Sequence, residues 1–277
     1  MLENTTKPVI RVMDLVKRFE DHTVLDGVNL QVLRGETMVV MGGSGCGKST
    51  LLRHMIASVW PDQGHVELFG QNLTELDEAG LEAVRKKFGI LFQSGALFNS
   101  MTVGENVALP LREHTELDED TIGIMVKMKL EQVGLREAAD LMPAEISGGM
   151  KKRAGLARAL SLDPEILFYD EPSAGLDPVT SAEIDRLIMD LAGKLGVTSV
   201  VVTHEMDSAF RIADRMAMLD CGRMLKVGTR QEFVELRDHW DGKNETDELI
   251  RQFLRGDSEG PITRRRQRAG YEEDILR

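Results

Sequence analysis

Short apolar runs recur along the chain, and turns with glycine or several polar residues separate them. A run such as Thr37–Met41, without alternating polar positions, is typical of a strand that is buried on both faces of a sheet. The sequence predicts strands at Val9–Val12, Val28–Val32, Thr37–Met41, His65–Phe69, Phe88–Phe92, Ile166–Tyr169, Thr198–Thr203 and, as the final strand, Arg215–Leu219.

Segments with apolar residues at helical spacing lie between these runs. They predict helices at Ser49–Ile56, Thr121–Val133, Lys151–Leu162, Thr180–Leu195 and Met206–Ala213. Residues from about 94 to 162 are mostly helical. Strands that alternate with helices indicate an α/β fold.

The loop after Thr37–Met41 carries the most specific motif. Residues 42–49 match G-x-x-x-x-G-K-[ST], and strand, loop and helix follow in the required order. Backbone N–H groups of such a loop bind phosphates, so we expect Lys48 to reach the β- and γ-phosphates and Ser49 to bind Mg²⁺. The plainer interpretation is a glycine-rich turn with an exposed lysine. The predicted nucleotide-binding residues are Gly42, Gly43, Ser44, Gly45, Cys46, Gly47, Lys48, Ser49 and Thr50.

Two adjacent carboxylates, Asp170 and Glu171, end the strand at Ile166–Tyr169. Carboxylates at the end of a buried strand are costly unless something uses them, and a nucleotide with Mg²⁺ does so. We expect Asp170 to serve the metal and Glu171 to accept a proton from the attacking water. A solvated strand end is the plainer alternative.

A second anion site is predicted at Ser147, Gly148 and Gly149, where Ser147 caps a basic helix and the glycines leave its N-terminus open. Together with Pro143, this segment resembles the signature motif of ATP-binding cassette (ABC) ATPases, Leu-Ser-Gly-Gly-Gln. Ile146 here replaces Leu, and the residue after Gly149 is Met rather than Gln.

The resemblance covers residues 8–236 and implies a P-loop NTPase cassette. In that fold a RecA-like parallel core carries an antiparallel β lobe, and a helical lobe is inserted at about 94–162. The ABC ATPase domain is expected to span residues 1–256. Its ligands are expected to be ATP and Mg²⁺.

The resemblance also assigns roles to residues that have plainer readings when taken singly. Phe19 stacks on adenine, Gln93 touches the metal and the attacking water, and His204 contacts the γ-phosphate. Asp177 closes the loop Ser173–Asp177, which crosses to a partner chain. Taken singly, Phe19 is also explained as a core aromatic, Gln93 as a strand-end amide and His204 as a structural histidine, but the order of the whole set along the chain favours the ABC assignment.

The two anion sites lie too far apart in this fold to share one nucleotide. We therefore expect two copies to face each other head to tail, with each ATP between Lys48 of one chain and Ser147, Gly148, Gly149 and Asp177 of the other. ATP binding then closes the dimer, and hydrolysis opens it.

Composition narrows the class of protein. The chain has 277 residues, a formal net charge of −12 and two cysteines, Cys46 and Cys221. The negative charge argues against nucleic acid as a partner, and two cysteines make no disulfide framework. No apolar run approaches the roughly 18 residues of a membrane span, and no signal peptide is evident, so we expect a cytoplasmic protein.

Within the ABC ATPases, the chain more specifically resembles MlaF-type ATPases of bacterial phospholipid trafficking. It rests on Met150 with the Lys-Lys-Arg after it, on Phe92–Phe98 and on Gly104–Val107. It implies a peripheral protein on the cytoplasmic face of the inner membrane that energises maintenance of outer-membrane lipid asymmetry. The implied partners are a permease, bound beside Gln93 and Ser94–Pro110, an MCE-domain lipid-binding protein and a small cytoplasmic regulator.

Two other functions remain open at this stage. One is the ATPase of a small-solute importer, for example for amino acids, which a co-purifying periplasmic solute-binding protein would indicate. The other is a non-transport ABC protein of translation or DNA maintenance. Such proteins usually carry two cassettes or a long coiled coil, and this sequence has one cassette and no heptad run.

The tail, residues 257–277, lies beyond the core resemblance. It contains a linker-like segment, Asp257–Pro261, and a basic cluster, Arg264–Arg268. Tyr271, Ile275 and Leu276 share one face if the end is helical. We hypothesise that the tail docks on an acidic partner cassette or on a regulator, and a solvated tail is the plain alternative.

Overall fold

Strands of this protein form two sheets, one mainly parallel and one antiparallel. The computed structural model describes residues 7–239 and 244–265. The strands of the described residues are β1 (Pro8–Phe19), β2 (His22–Leu33), β3 (Thr37–Met41), β4 (Gln63–Leu68), β5 (Gln71–Asn72), β6 (Phe88–Leu91), β7 (Ile166–Asp170), β8 (Thr198–Thr203), β9 (Arg215–Asp220) and β10 (Arg223–Thr229).

Helices cover the sheets and build the lobe between β6 and β7. The helices of the described residues are α1 (Lys48–Met55), α2 (Glu78–Arg85), α3 (Val103–His114), α4 (Glu119–Gln132), α5 (Gly148–Ala159), α6 (Pro178–Leu195), α7 (Met206–Ile212), α8 (Arg230–Asp238) and α9 (Glu245–Arg255).

The six-stranded sheet has the order β10-β9-β3-β8-β7-β6, with β10 antiparallel to β9 and the other pairs parallel. All five residues of β3 are buried, as their continuous apolar run predicts. Met41 of β3 pairs with Thr203 of β8, and Val202 of β8 pairs with Asp170 of β7. The loops after these three strands therefore meet at one edge of the sheet.

The second sheet is antiparallel, in the order β2-β1-β4-β5. Alternate residues of β3 face two different cores. Met38 and Val40 belong to the core beneath the antiparallel sheet, while Val39 and Met41 belong to the core that contacts the helical lobe. The parallel core, antiparallel lobe and helical lobe of α3, α4 and α5 confirm the expected fold class.

The prediction of Arg215–Leu219 as the final strand is wrong, because β10, α8 and α9 follow it. β10 is an edge strand with mostly half-buried residues, so it lacks the continuous apolar run that marks the other core strands. β6 also ends at Leu91, so Gln93 lies in the loop beyond the strand rather than at its end.

Among the described residues, no helix combines the length and the apolar character that crossing a bilayer requires.

Gly155 of α5 touches the loop that follows β6, and this contact predicts a stability effect. A Cβ at Gly155 would lie 2.8 Å from the Gly95 carbonyl oxygen and 3.0 Å from a methyl carbon of Leu91. Gly155→Ala should therefore destabilise the fold by about 1–3 kcal/mol in urea unfolding. The matched control is Gly123→Ala in α4, where the new methyl meets no atom within 4 Å. It should instead stabilise the chain by up to about 1 kcal/mol, and equal effects would contradict the packing argument.

Candidate nucleotide-binding and hydrolysis site

The loop between β3 and α1 can be built only with glycine at its first position. Gly42 has a φ of 153°, and a Cβ there would lie 2.1 Å from the Leu219 carbonyl oxygen and 2.7 Å from the Cys46 sulfur. The loop thus lies directly against the end of β9, and the Cys46 side chain is buried beneath it. Burial raises the pKa of the Cys46 thiol.

Lys48 is the first residue of α1 and is only 7% exposed. Its Nζ donates to the carbonyl oxygens of Gly42 at 2.8 Å and Gly43 at 2.9 Å. The plainer interpretation, a turn with an exposed lysine, is therefore wrong. The ammonium is held across the mouth of the loop, in the position that a phosphate-binding lysine needs.

Ser49 and Asp170 meet across the end of the sheet, where the Ser49 hydroxyl donates to Asp170 Oδ1 at 3.2 Å. Burial raises the pKa of Asp170, the Ser49 hydrogen bond opposes that shift, and the neighbouring Glu171 charge adds to it. A hydroxyl and a carboxylate are oxygen ligands of the kind that Mg²⁺ prefers. The described residues contain no cluster of three or more His, Cys, Asp or Glu side chains able to hold a metal.

Glu171 lies beside Asp170 and pairs with His204, which follows β8. The His204 Nδ1 is 2.9 Å from both carboxylate oxygens of Glu171, and the His204 backbone N–H donates to Oε2 at 3.4 Å. A carboxylate accepts hydrogen bonds, so this pair forms a hydrogen bond in the tautomer that carries the hydrogen on Nδ1. The Glu171 side chain is 12% exposed and that of His204 is 58% exposed.

These groups surround one cavity of about 390 Å³ at the carboxyl edge of the sheet. Sequence reasoning missed one lining residue, Val24 of β2, for which the sequence carries no chemical signal. The cavity is lined by Val24, Ser44, Gly45, Gly47, Lys48, Ser49, Thr50, Gln93, Glu171 and His204. The structure thus brings the loop, Gln93, Glu171 and His204 together around one cavity, and Asp170 adjoins it through the hydrogen bond from Ser49.

Ser147 forms the predicted cap of α5, accepting a hydrogen bond from the Met150 N–H at 3.2 Å. Ser147 and Gly148 are exposed, whereas Gly149 is buried. None of the three residues lines the cavity around Lys48. The N-terminus of α5 is therefore exposed at Ser147 and Gly148, and it does not share a cavity with the phosphate-binding loop of the same chain.

Comparisons with known proteins agree with this geometry. A family model described as ABC transporter matches residues 25–174. The intermembrane phospholipid transport system ATP-binding protein MlaF of Escherichia coli K12 is 40% identical over 275 residues, which cover 99% of this chain and 99% of that protein. The chain belongs to the ABC transporter ATPase family.

Two further similarities involve proteins with other names. A probable ribonucleotide transport ATP-binding protein of Mycobacterium leprae is 41% identical over 253 residues, or 91% of this chain and 70% of that protein. A dimeric ATP-binding cassette, MJ0796, solved in a post-hydrolysis state with ADP and Pi, is 30% identical with a TM-score of 0.73. The matched region covers 80% of this chain and 98% of the MJ0796 chain.

As an ABC ATPase, the cassette binds ATP with Mg²⁺ and hydrolyses it. The Ser49 hydroxyl and the Asp170 carboxylate are the residues that would hold the metal beside the phosphates. Bound there, Mg²⁺ supplies neutralising charge for the phosphate oxygens.

Two predicted contacts of the cassette lie outside the cavity. Phe19 ends β1 with 47% of its surface exposed and with Lys17 Nζ 5.3 Å from its ring centre, so its stacking on adenine stays a prediction. Asp177 caps α6 by accepting from the N–H groups of Val179 and Thr180. The Thr180 hydrogen bonds lower the pKa of Asp177. Its contact with a partner's nucleotide likewise stays a prediction.

Asp170→Asn should raise the Tm of the nucleotide-free cassette at pH 7 while lowering its ATPase rate by about tenfold or more. Burial raises the pKa of Asp170, so the folded chain disfavours the charged carboxylate. The protonated carboxyl therefore contributes stability at low pH, and this contribution is lost as pH rises through the raised pKa. Asparagine removes the charge, so its Tm advantage should shrink toward about pH 4. Calorimetry at both pH values measures this difference, and a lower Tm for the variant at pH 7 would contradict it.

Proposed function

We propose that this cassette energises phospholipid trafficking in the bacterial envelope as the ATPase subunit of an ABC transporter. The observation that carries the substrate class is the end-to-end match to the Escherichia coli phospholipid-transport ATPase, 99% of each chain. The similarity to the mycobacterial ribonucleotide-transport protein extends over only 70% of that protein. The small-solute alternative is therefore less well supported.

The chemistry follows from the groups around the cavity. Backbone N–H groups of the loop and the Lys48 ammonium bind the β- and γ-phosphates. Gln93 and His204 line the same space and orient the γ-phosphate and the attacking water. The Glu171 carboxylate has lone pairs beyond those that face His204 Nδ1, so it accepts the proton of that water.

Two copies are proposed to act as a head-to-tail dimer. The N-terminus of α5 is the candidate second anion site, with Ser147 and Gly148 exposed and outside the Lys48 cavity. A two-fold axis would place this site on the γ-phosphate held by the partner copy. The dimeric state of the MJ0796 cassette supports this arrangement.

A permease is proposed to dock in a groove of about 780 Å³ between the α1 and β6 side of the parallel core and the helical lobe. Its walls include Phe92 and Phe98, which are 41% and 51% exposed, and Pro110. Arg158 of α5 donates to the carbonyl oxygens of Gly95 and Ala96 in the loop after Gln93. Movements of α5 or of the loop after Gln93 would therefore change the surface that contacts a partner in this groove.

The remaining partners and the location are proposed on the MlaF-type resemblance. The permease would hold the cassette on the cytoplasmic face of the inner membrane and join it to an MCE-domain protein. A small regulator has a candidate surface on α4, where Ile124 and Met128 are 61% and 59% exposed and one helical turn apart.

The domain division, an ABC domain over 1–256 and a tail over 257–277, is retained as a proposal. The described part of the tail packs on its own chain, with the Ile262 N–H donating to Gln252 Oε1 and Arg265 pairing with Asp220 at 2.6 Å. The described tail thus contacts the cassette of its own chain, and docking on the partner cassette or on a regulator stays a prediction. Tyr271, Ile275 and Leu276 lie outside the described residues.

Mass spectrometry of the detergent-solubilised native complex tests the proposal. We expect two copies of this chain, an integral membrane protein, an MCE-domain protein and co-purified phospholipid. A matched preparation carrying Lys48→Ala should show whether lipid occupancy depends on turnover. A periplasmic solute-binding protein in place of the MCE-domain protein would contradict the phospholipid assignment.

A further inference from the structure

A buried lysine lies directly behind the general base. Lys152 of α5 is 4% exposed, although lysine is rarely buried in proteins. Its Nζ donates to the backbone carbonyl oxygen of Glu171 at 3.0 Å. Burial lowers the pKa of Lys152, and the nearby carboxylates of Glu171, Asp170 and Glu205 act in the opposite direction.

Glu171 has an unfavourable backbone conformation. Its φ of 49° is in the left-handed region, which costs a residue with a side chain about 1 kcal/mol or more. The Glu171 N–H donates to the Val202 carbonyl at 2.9 Å, and its own carbonyl accepts from the Ala174 N–H at 3.2 Å in addition to Lys152. A strained conformation persists only where its surroundings fix it, and Lys152 supplies one of these contacts.

The choice of acceptor matters for the chemistry. An ammonium bound to the Glu171 carboxylate would compete with water for the atoms that take up the proton. Lys152 instead binds the main chain, and the carboxylate faces His204. The lysine can therefore fix residue 171 without occupying the oxygen atoms that react.

Lys152 also lies close to the other anion site of the chain. Ser147 caps α5, and Lys152 belongs to the second turn of the same helix. Helices move as stiff units, so a shift of the capped end of α5 also displaces the Lys152 ammonium.

We propose that Lys152 is a positioning residue that holds the main chain of Glu171 and transmits the position of the signature helix α5 to the general base. This rests on the proposed dimer, in which the α5 end of one chain contacts the nucleotide of its partner. Engagement of that nucleotide would then align the base of the opposite site, so the two sites become ready for hydrolysis together.

The test compares kcat and KM for ATP in the purified permease complex. Lys152→Met removes the donor but keeps most of the volume, and it should lower kcat by about tenfold or more while KM changes less than twofold. Lys152→Arg keeps a donor and should recover most of the lost kcat. If the methionine variant does not assemble, Lys152→Gln, with a shorter donor, should show reduced kcat at unchanged KM.

The matched control is Lys129→Met in α4, because Lys129 is a lysine of similar burial, 6% exposed, whose ammonium pairs with Asp163 away from the cavity. It should change thermal stability but not kcat. Wild-type kcat in Lys152→Met, equal losses in Lys152→Met and Lys152→Arg, or an equal loss in Lys129→Met would each overturn the proposal. Normal ATPase activity in a complex that carries Glu171→Gln would overturn the proposed base itself, which distinguishes the two failures.

Discussion

Glu171→Gln is expected to lower the rate of ATP hydrolysis by about 10²–10⁴-fold while ATP still binds. Glutamine keeps the size of the side chain and can still accept a hydrogen bond from His204, but its amide does not accept a proton from water. The variant should therefore retain one unhydrolysed ATP per chain. Single-turnover hydrolysis and bound-nucleotide analysis measure the two effects separately.

Glu205→Gln is the matched control for this prediction. Glu205 precedes α7, directly after His204, and makes no side-chain cap for that helix. The control should hydrolyse ATP at a rate within about twofold of wild type, since it adjoins the site without lining the cavity. Normal hydrolysis in Glu171→Gln would show that another residue activates the water.

Lys48→Ala should lose most ATPase activity, by about 10²-fold or more, because the phosphates lose their buried cation. A second effect follows from burial. Removing the ammonium leaves the carbonyl oxygens of Gly42 and Gly43 without their donor, at a cost of about 1–3 kcal/mol. We therefore expect a Tm lower by several degrees in the nucleotide-free chain, with the fold retained.

Lys86→Ala separates these effects from the loss of a lysine in general. Lys86 is partly exposed and pairs with Glu82 on the surface of α2, so its removal should change neither turnover nor Tm appreciably. Circular dichroism and steady-state ATPase assays report both quantities. Wild-type turnover in the purified Lys48→Ala complex would exclude this loop as the catalytic nucleotide site.

Local motifs explain why so much of the site was predictable. The glycine pattern of residues 42–49 dictates its own backbone shape, and Asp170 follows an apolar run that reads as a central strand. Once both runs are placed in one parallel sheet, their carboxyl ends lie at the same edge, and in the structure only β8 separates the two strands. The contact between Ser49 and Asp170 follows from that topology.

Other features depended on burial, which the sequence shows only indirectly. Lys152 stands in a basic run that resembles a solvated helix start, yet it is buried beneath Glu171. The signal was helical spacing, since Gly149, Lys152 and Leu156 fall on one face and all three are buried. The sequence did not predict strand β10, because an edge strand that is only half-buried needs no continuous apolar run.

We expect two copies of this chain to enclose ATP between Lys48 of one copy and Ser147 of the other. Native mass spectrometry of isolated Glu171→Gln measures it directly. We expect a dimer with two ATP molecules, which forms with ATP and Mg²⁺ but not with ADP and is lost when Ser147→Arg blocks the N-terminus of α5. A monomer that binds one ATP under all of these conditions would contradict the head-to-tail dimer.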